Sequence, residues 1–265
     1  MRVSEHRWGR VVVALAAVIP LCLVAATTVR TTWSPSASDR FQLDLAGTPT
    51  IAQRHGPFSM MEVDGFDTPS AVVGSLHSLG KKAVCYNDVG TWENWRPDAG
   101  RIPKSVLGAN DAGWPGERWL DIRRQSVLVP LMRARFEMCV KKGFDAVDPD
   151  NVNGVDNATG FALTIKEQLS YDRAIASLAH SLHLAVALKS FAEGASALEP
   201  TFDFVVDEQC AQYKECPSFA SFVANHKAVF DIEYTSSMAF CATLPKGIRG
   251  MAKHLSLDAW VRWCP

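Results

Sequence analysis

Eight short apolar or β-branched runs, most of them followed by a longer amphipathic stretch, recur along this 265-residue chain. Strands that alternate with helices in this way are typical of βα units around a parallel sheet. We therefore predict eight strands, starting at Phe41, Phe58, Lys81, Phe144, Leu184, Phe202, Ala228 and Leu257. The helices predicted between them include SAVVGSLHSLG, SVLVPLMRARFEMCVKKG, QLSYDRAIASLAHSLH, SFASFVANH and PKGIRGMAKHL.

This strand count predicts an α/β fold class with a single (β/α)₈ TIM-type barrel. Such barrels usually contain about 250 residues, which matches the part of this chain that carries the strands. An open doubly wound sheet is the alternative, but it normally has a glycine-rich phosphate turn after its first strand. Neither GxGxxG nor GxxxxGK[ST] occurs in the sequence, which favours the barrel.

The N-terminal segment has a basic start, MRVSEHRWGR, followed by the apolar stretch VVVALAAVIPLCLVAA. This pattern indicates a secretory signal peptide at residues 1–26. An uncleaved anchor is the alternative, because the apolar stretch is about long enough to cross a bilayer. We predict a flexible lead-in at 27–40 and the barrel at 41–265, in a secreted protein without stable membrane association once the signal is removed.

Six cysteines remain after the predicted cleavage site: Cys85, Cys139, Cys210, Cys216, Cys241 and Cys264. An even number of cysteines in a secreted chain predicts disulfides. The sequence alone does not choose among the possible pairings, although Cys210 with Cys216 would close a short loop and Cys241 with Cys264 could tie down the C-terminus. No CxxC pair is present, so we expect no metal, and we expect no other cofactor.

The chain contains 27 Lys and Arg residues against 28 Asp and Glu residues, a net charge of -1. Nucleic-acid binding needs a clustered basic surface, and the basic residues here are scattered. We therefore exclude nucleic acid as a partner and expect a monomer.

Acidic residues lie at the predicted C-terminal ends of five strands, where (β/α)₈ barrels place their active sites. Side chains alternate along a strand, so Asp148 and Asp150 share one face, as do Asp231 and Glu233, and Glu208 ends an apolar row. Acids that converge in one cavity acquire separated pKa values, as glycoside hydrolysis requires. The alternative is that individual strand-end acids cap the following helices.

Four tryptophans, Trp92, Trp95, Trp114 and Trp119, lie in the long segment after the third predicted strand. Gly and Pro accompany them, so we predict loops here. Aromatic rings on such loops can stack on sugar rings. We expect at least two of the four to pack against the rim of the barrel instead.

Five longer motifs follow in the order AVCYNDVGTWENWRPD, GWPGERWLDIR, FDAVDPDNVNG, TGFALTIKEQLSYDRAIASLAHS and VDEQCAQYKEC. Together they resemble glycoside hydrolase family 114, the endo-α-1,4-polygalactosaminidases, from about Phe41 to Tyr234. The resemblance implies a (β/α)₈ fold and internal cleavage of α-1,4-linked galactosamine polymers of the galactosaminogalactan type. It also implies two catalytic carboxylates, Asp150 from the DPDN motif and Glu208 from the DEQC motif.

From this resemblance we expect a retaining reaction, with Asp150 as nucleophile and Glu208 as proton donor. The free amino groups of such a polymer are cationic, so an acid-rich cleft would attract it. The candidates for substrate binding are Asp64, Asp67, Asp88, Trp92, Trp95, Asp148, Asn151, Lys189, Asp207, Asp231 and Glu233. A carbohydrate-binding barrel without catalysis and a polysaccharide deacetylase remain as alternative functions.

Overall fold

The computed structural model of the protein describes residues 33–265, so the predicted signal peptide and residues 27–32 lie outside the described residues. The strands are β1 (Phe41–Asp44), β2 (Met60–Asp64), β3 (Lys82–Asp88), β4 (Thr91–Glu93), β5 (Leu107–Asn110), β6 (Glu117–Leu120), β7 (Ala146–Asp150), β8 (Ala185–Lys189), β9 (Phe204–Glu208), β10 (Val229–Glu233), β11 (Ile248–Lys253) and β12 (Val261–Trp263). The α-helices are α1 (Ile51–Arg54), α2 (Ser70–Ser78), α3 (Gln125–Lys142), α4 (Ile165–Ser181), α5 (Ala195–Leu198), α6 (Cys210–Tyr213) and α7 (Ala220–Ala224). Among residues 33–265, no helix is both long enough and apolar enough to cross a bilayer.

Eight parallel strands form the barrel in the order β1-β2-β3-β7-β8-β9-β10-β11, and β12 adds antiparallel to β11. At the seam between β1 and β11, the Trp263 indole nitrogen donates to the Phe41 carbonyl over 2.7 Å. The Lys253 ammonium donates to the Leu43 carbonyl, and Leu45 N donates to Leu257 O over 2.9 Å. The predicted (β/α)₈ barrel is confirmed.

Alternation along the strands divides the apolar residues into two cores. On β8, Ala185 and Ala187 point into the barrel, whereas Val186 and Leu188 point outward to the helices. The lower part of the barrel interior is closed by aromatic residues, and the ring centroids of Phe41 and Phe230 lie 5.1 Å apart. Since side chains of this size each contribute roughly 1.5–3 kcal/mol on burial, this packing stabilises the lower barrel and leaves its upper end free for polar groups.

The helices begin and end where local signals require. At the start of α4, the Thr164 hydroxyl accepts from Glu167 N over 3.3 Å, and the Glu167 carboxylate accepts from Thr164 N over 2.9 Å. This capping box satisfies two backbone donors that the helix itself leaves unpaired. Helix α3 ends at Gly143, whose φ of 94° is accessible to glycine at little cost.

One predicted helix is wrong, and one predicted strand lies outside the parallel barrel. The segment PKGIRGMAKHL contains the eighth barrel strand, β11, rather than a helix, and the predicted strand at Leu257 contains β12, the antiparallel addition. Glycine disfavours a helix interior by about 1 kcal/mol relative to alanine. A Cβ on Gly250 would lie 2.4 Å from the Leu244 side chain and 2.8 Å from Cys264 Sγ, so close approach of the chain requires this glycine.

Two predicted irregular segments have more structure than expected. Residues after β3 form a small antiparallel sheet in the order β4-β6-β5, rather than loops alone. The part of the lead-in from Trp33 packs beneath the barrel, because Trp33 contacts the inner core and the Arg249 guanidinium donates to the Ala37 carbonyl. Residues 33–40 are therefore attached to the barrel and are not a free linker.

Three disulfides join the six cysteines: Cys85–Cys139, Cys210–Cys216 and Cys241–Cys264. The two pairings favoured by loop closure are confirmed. Their sequence separations are 54, 6 and 23 residues, respectively. Because a cross-link restricts the unfolded chain more when it closes a longer loop, the three bonds contribute unequally to stability.

We expect the double substitution of Cys241 and Cys264 by serine to lower the free energy of unfolding by about 2–4 kcal/mol. The matched replacement of Cys210 and Cys216 should cost less, because that bond closes a much shorter loop. Guanidinium unfolding followed by tryptophan fluorescence measures both values. A larger loss for the Cys210 and Cys216 variant would contradict the loop-length argument.

Candidate active site

A cavity of about 550 Å³ opens at the C-terminal ends of the parallel strands. Strand tips form its floor, and the β4-β6-β5 sheet contributes one wall. The lining comprises Leu45, Asp64, Asp67, Tyr86, Glu93, Trp95, Arg96, Asp111, Trp114, Glu117, Trp119, Asp150, Asn151, Asn153, Asn157, Lys189, Ser190, Glu208, Gln209, Tyr234, Leu255 and Leu257. This set is rich in acids and aromatic residues, as polysaccharide-binding clefts are.

Lys189, at the end of β8, lies at the centre of the floor with its side chain 3% exposed. Its Nζ is 3.2 Å from Asp148 Oδ2, 3.2 Å from Glu208 Oε1 and 3.7 Å from Asp150 Oδ1. Burial opposes the charged form of the lysine, but these carboxylates outweigh it and hold the pKa of Lys189 well above its usual range. Lys189 is therefore a permanent cation that joins the ends of β7, β8 and β9.

Asp150 and Glu208 are the two carboxylates of this group that reach the cavity, with side chains 24% and 30% exposed. The Tyr86 hydroxyl donates to Asp150 Oδ2 over 2.8 Å. Burial, together with Asp150, raises the pKa of Tyr86 well above its usual value, so this hydroxyl remains a donor. The distances to the shared ammonium limit the separation of one Asp150 oxygen from one Glu208 oxygen to about 7 Å.

The backbone turns sharply after each of the three strand tips. Asn151, Ser190 and Gln209 have φ values of 60°, 39° and 72°, and they directly follow Asp150, Lys189 and Glu208. Positive φ is uncommon outside glycine and costs of order 1–3 kcal/mol per residue. Such strain persists only where surrounding contacts enforce it, and it occurs here at three neighbouring strand ends in one cavity.

The loop after β7 is held by a close backbone approach. A Cβ on Gly90 would lie 1.8 Å from the Asn151 carbonyl oxygen, so only glycine fits there. The side-chain Nδ2 of Asn151 donates to Asp88 Oδ2 over 2.7 Å, and its backbone N donates to Asp150 Oδ1 over 2.9 Å. These contacts fix the orientation of the Asp150 carboxylate.

Beside this loop, Thr91 Oγ1 lies within hydrogen-bond distance of Asp88 Oδ2 and Glu117 Oε2. A hydroxyl has one hydrogen, so it can donate to only one of them, and the other carboxyl must be protonated to make both bonds. Burial, with Glu93 and Asp150 nearby, raises the pKa of Asp88 to about 7. Burial and Asp88 raise the pKa of Glu117 to about 8.

Arg96 forms the wall beside Asp64. Its guanidinium is 2.7 Å from Asp64 Oδ2 and 2.7 Å from Glu93 Oε1, and its side chain is almost fully buried. Both carboxylates are thereby neutralised on one side and oriented along the cavity wall. The fork geometry of arginine suits two carboxylates at once, so Arg96 is a structural cation of this wall.

Five of the predicted binding residues lie on the cavity surface: Asp64, Asp67, Trp95, Asn151 and Lys189. Six others do not reach that surface: Asp88, Trp92, Asp148, Asp207, Asp231 and Glu233. Asp88 and Asp148 are completely buried beneath the lining. Trp92 packs against the outer core and Trp119 is nearly buried at the edge of the cavity, whereas Trp95 and Trp114 are each 50% exposed at the cavity.

Asp231 and Glu233 point away from the cavity because Phe230 and Ile232 take the inward positions of β10. Asp231 Oδ1 accepts from Cys210 N over 3.0 Å, and Glu233 Oε1 accepts from Ala211 N over 2.9 Å. These acids therefore contact the first residues of α6, as the helix-capping alternative predicts. Asp207 lies on the same outer side, where burial and neighbouring acids raise its pKa well above the usual value.

The sequence prediction missed several lining residues: Tyr86, Glu93, Arg96, Glu117, Ser190 and Tyr234. Tyr86 and Tyr234 could have been found by strand parity, because each lies two positions from an inward residue. For Glu93 and Arg96, the signal in the sequence was an acid and a base three residues apart, a spacing at which the two form an ion pair here. Burial and the Glu208 carboxylate raise the pKa of Tyr234, so its hydroxyl stays protonated beside that acid.

One group in the described part of the chain has the composition of a metal site: Cys210, Cys216 and Asp231, with ligand atoms within 4.8 Å of one another. Both sulfurs belong to the same disulfide. They cannot offer the thiolates that a metal would need, so this group does not fit a metal ion.

Comparison with known proteins identifies the family and the fold. The family described as glycoside-hydrolase family GH114 matches residues 24–265. The crystal structure of Aspergillus fumigatus Ega3 in complex with galactosamine is 31% identical, has a TM-score of 0.84, and the match covers 89% of this chain and 98% of that one. The glycoside hydrolase domain of PelA from Pseudomonas aeruginosa shares the fold at 16% identity and a TM-score of 0.66, covering 84% and 97% of the two chains. A search of curated protein sequences found no match.

The raised carboxyl pKa values predict that the protein is more stable at mildly acidic pH than at pH 8. Burial raises the pKa of Asp148 to about 6, in addition to the values of about 7 and 8 for Asp88 and Glu117. The folded state holds protons that the unfolded state releases, so stability falls as pH rises from roughly 4 through these values. Urea unfolding at pH values between about 5 and 8 measures this slope.

Glu117→Gln provides the control for that slope, because glutamine keeps the shape of the neutral acid and does not titrate. We expect its free energy of unfolding to depend less on pH than that of the parent, by about 1 kcal/mol per pH unit within this range. Equal slopes in the two proteins would show that Glu117 does not carry a raised pKa.

Proposed function

Because the chain belongs to glycoside hydrolase family GH114, we propose that it is a secreted enzyme that cleaves α-1,4-linked galactosamine polymers internally with Asp150 and Glu208. Glycoside hydrolase activity is the property of the family. We propose, beyond this, the polymer, the internal cleavage and the roles of the two residues.

The observation that carries the proposal is the placement of Asp150 and Glu208 around one buried ammonium. Glycoside hydrolysis uses two carboxyl groups that flank the scissile bond. Asp150 and Glu208 are the two members of the Lys189 group that the cavity exposes, and both lie within 3.7 Å of Lys189 Nζ. No metal is required by this chemistry.

In the first step, Asp150 attacks the anomeric carbon and forms a bond to it, while Glu208 transfers its proton to the departing glycosidic oxygen. The Tyr86 hydroxyl orients the attacking carboxylate through Oδ2. As Glu208 becomes a carboxylate, Lys189 at 3.2 Å stabilises the charge that develops on it.

In the second step, Glu208 takes a proton from a water molecule, whose oxygen attacks the anomeric carbon and displaces Asp150. Asp150 returns as a carboxylate near Lys189, and the proton is again on Glu208. Two displacements at one carbon retain its configuration. The limit of about 7 Å between their oxygens is compatible with the shorter separation, about 5–5.5 Å, found in retaining enzymes.

The charge of the cavity supports a cationic polymer as substrate. Its acids include Asp67 and Asp111, which form no ion pair with any residue from 33 to 265, while its cations Arg96 and Lys189 are both paired with carboxylates. A site with surplus negative charge attracts protonated amino groups. The galactosamine bound in the Ega3 crystal structure is consistent with this substrate class.

The exposed rings of Trp95 and Trp114 support binding of an extended polymer. Both lie on the β4-β6-β5 side of the cavity, and each is 50% exposed. Aromatic faces stack on the CH groups of sugar rings. These two residues therefore provide binding area beyond the catalytic floor.

Three disulfides in the described part of the chain support an oxidising location. Together with the signal-like N-terminus, they support secretion. The polymer would then be met outside the cell.

Asp150→Asn and Glu208→Gln should each reduce hydrolysis of partially deacetylated α-1,4-galactosaminogalactan by about 10²–10⁴-fold. Each change removes a group that forms a bond or moves a proton, with little change in side-chain volume. Release of oligosaccharides, measured by chromatography, should show intermediate lengths early if cleavage is internal.

Glu137→Gln is the matched control, because Glu137 is an exposed acid on α3, distant in the fold from the strand tips. It should hydrolyse the polymer at the parental rate. A folded parent that binds the polymer without releasing products would instead support a carbohydrate-binding barrel. Full activity in Asp150→Asn or Glu208→Gln would exclude that residue from its proposed role.

The retaining mechanism predicts that the first-formed reducing ends have the α configuration of the substrate. Proton NMR during the first minutes of hydrolysis distinguishes the two anomers before they equilibrate. Initial formation of the β anomer would establish inversion and would remove the nucleophilic role of Asp150.

A further inference from the structure

Glu62 is a fully buried carboxyl group inside the barrel, below the active site. It lies on β2, in register with Leu43 of β1 and Val84 of β3. None of its surface is exposed, and neither of its carboxyl oxygens receives a hydrogen bond from an N–H or O–H group of the described residues. An ionised carboxyl in this position would be a desolvated charge without a donor.

Asp148 lies on β7, which is separated from β2 by β3 alone, and it has a matching unsatisfied atom. Its Oδ2 accepts from Lys189 Nζ over 3.2 Å, but its Oδ1 is buried and has no donor among the described residues. The Glu62 and Asp148 carboxyl groups are within hydrogen-bonding reach of each other. A single proton between them would satisfy an orphaned oxygen on each side.

We propose that Glu62 is a protonated carboxylic acid that donates a hydrogen bond to Asp148 Oδ1 and so positions Asp148 and Lys189 beneath the catalytic carboxylates. Glu62 is a positioning residue in this arrangement, since it reaches Asp150 and Glu208 only through Asp148 and Lys189. The effect on catalysis rests on the proposed function, whereas the proton on Glu62 does not.

The charges around Glu62 place the proton on this residue. It faces Asp148 and Asp150 from β7 and Lys189 from β8, and its register neighbours on β1 and β3 are apolar. Burial is the largest cause that raises the pKa of Glu62 well above its usual value, followed by Asp148. The hydrogen bond from Glu62 and the ammonium of Lys189 both favour the ionised form of Asp148.

The hydrogen bond has a consequence for the site above it. An ionised Asp148 anchors Lys189, and Lys189 in turn contacts Asp150 and Glu208. Without the donor, Asp148 Oδ1 is left unsatisfied, and Asp148 gains a proton at a higher pH than before. Asp150 and Glu208 then lose the neighbouring negative charge of Asp148. This loss favours release of the proton that Glu208 needs for the reaction.

The first test reads the proton itself. In infrared difference spectra near neutral pH, parent minus Glu62→Gln should show the carbonyl stretch of one protonated carboxylic acid. If the parent shows only an additional carboxylate band, Glu62 is ionised and the proposal is overturned. This measurement needs no substrate, so it stands even if the parent proves unable to hydrolyse the polymer.

The second test compares Glu62→Gln with Glu62→Leu in hydrolysis across a range of pH. Glutamine is neutral and can donate an N–H to Asp148, so this variant should keep the parental rate within a few-fold and the parental pH profile. Leucine offers no donor, so kcat should fall about ten-fold or more, and the alkaline limb of kcat/KM should move by roughly one pH unit toward acid.

The pH profile separates positioning from a merely structural role. A Glu62→Leu enzyme with reduced kcat but unmoved limbs would show that Glu62 only fills space, which overturns the proposal. A shift of the limbs in Glu62→Gln would show that the parent carries a negative charge there, with the same consequence. If Glu62→Leu does not fold, the profile of Glu62→Gln and the infrared spectrum still decide between the two.

Discussion

The buried ammonium of Lys189 is the interaction on which the upper half of the barrel depends. A cation removed from water is tolerable only when it is paired, and breaking a buried pair typically costs about 3–5 kcal/mol. Lys189, on β8, has three carboxylates within 4 Å, two from β7 and one from β9. Hydrogen bonding in the sheet sets the positions of the strand ends only approximately. The contacts of Lys189 hold the ends of β7, β8 and β9 at a defined distance from one another. The same contacts bring Asp150 and Glu208 next to one shared charge.

The barrel supplies this arrangement by dividing its interior into two levels. At the lower level, Phe41, Phe204 and Phe230 fill the space between small residues of the opposite strands. At the upper level, the inward positions carry carboxyl, hydroxyl and ammonium groups in place of apolar side chains. The apolar level stabilises the barrel. The backbone strain lies at the polar level, where Asn151, Ser190 and Gln209 have positive φ. Strained turns at three adjacent tips are the physical mark of a site whose geometry the surrounding fold imposes.

The upper level has more acids than cations, and the excess is accommodated by protonation. Thr91 has a single hydroxyl hydrogen for two carboxyl groups, so one of those carboxyl groups, Asp88 or Glu117, is protonated. Glu62 has no donor beside it, and it too carries a proton. Neutral acids bury at lower cost than ions, so the site can store many carboxyl groups without unpaired charge. Those that remain ionised at the cavity would face the positively charged polymer that we propose as substrate. The proposed preference for galactosamine polymers thus follows from the same charge balance that keeps the barrel stable.

The sequence by itself determined seven of the eight barrel strands, the main helices, the family and the two candidate catalytic acids. Apolar alternation and motif order are local properties, and they are visible without the fold. It could not decide that Ile248–Lys253 is a strand, because the segment has mixed polarity and contains Gly250, a residue that only close packing against Cys264 and Leu244 explains. Without the family motifs, strand parity could not separate Asp150 from Asp148, nor could it separate the cavity acids from Asp231 and Glu233, which contact the start of α6. Only the tertiary structure shows which of these acids reach the cavity, because the surroundings of a carboxylate at a strand end depend on neighbouring strands and on the next helix, and such neighbours are distant in the chain.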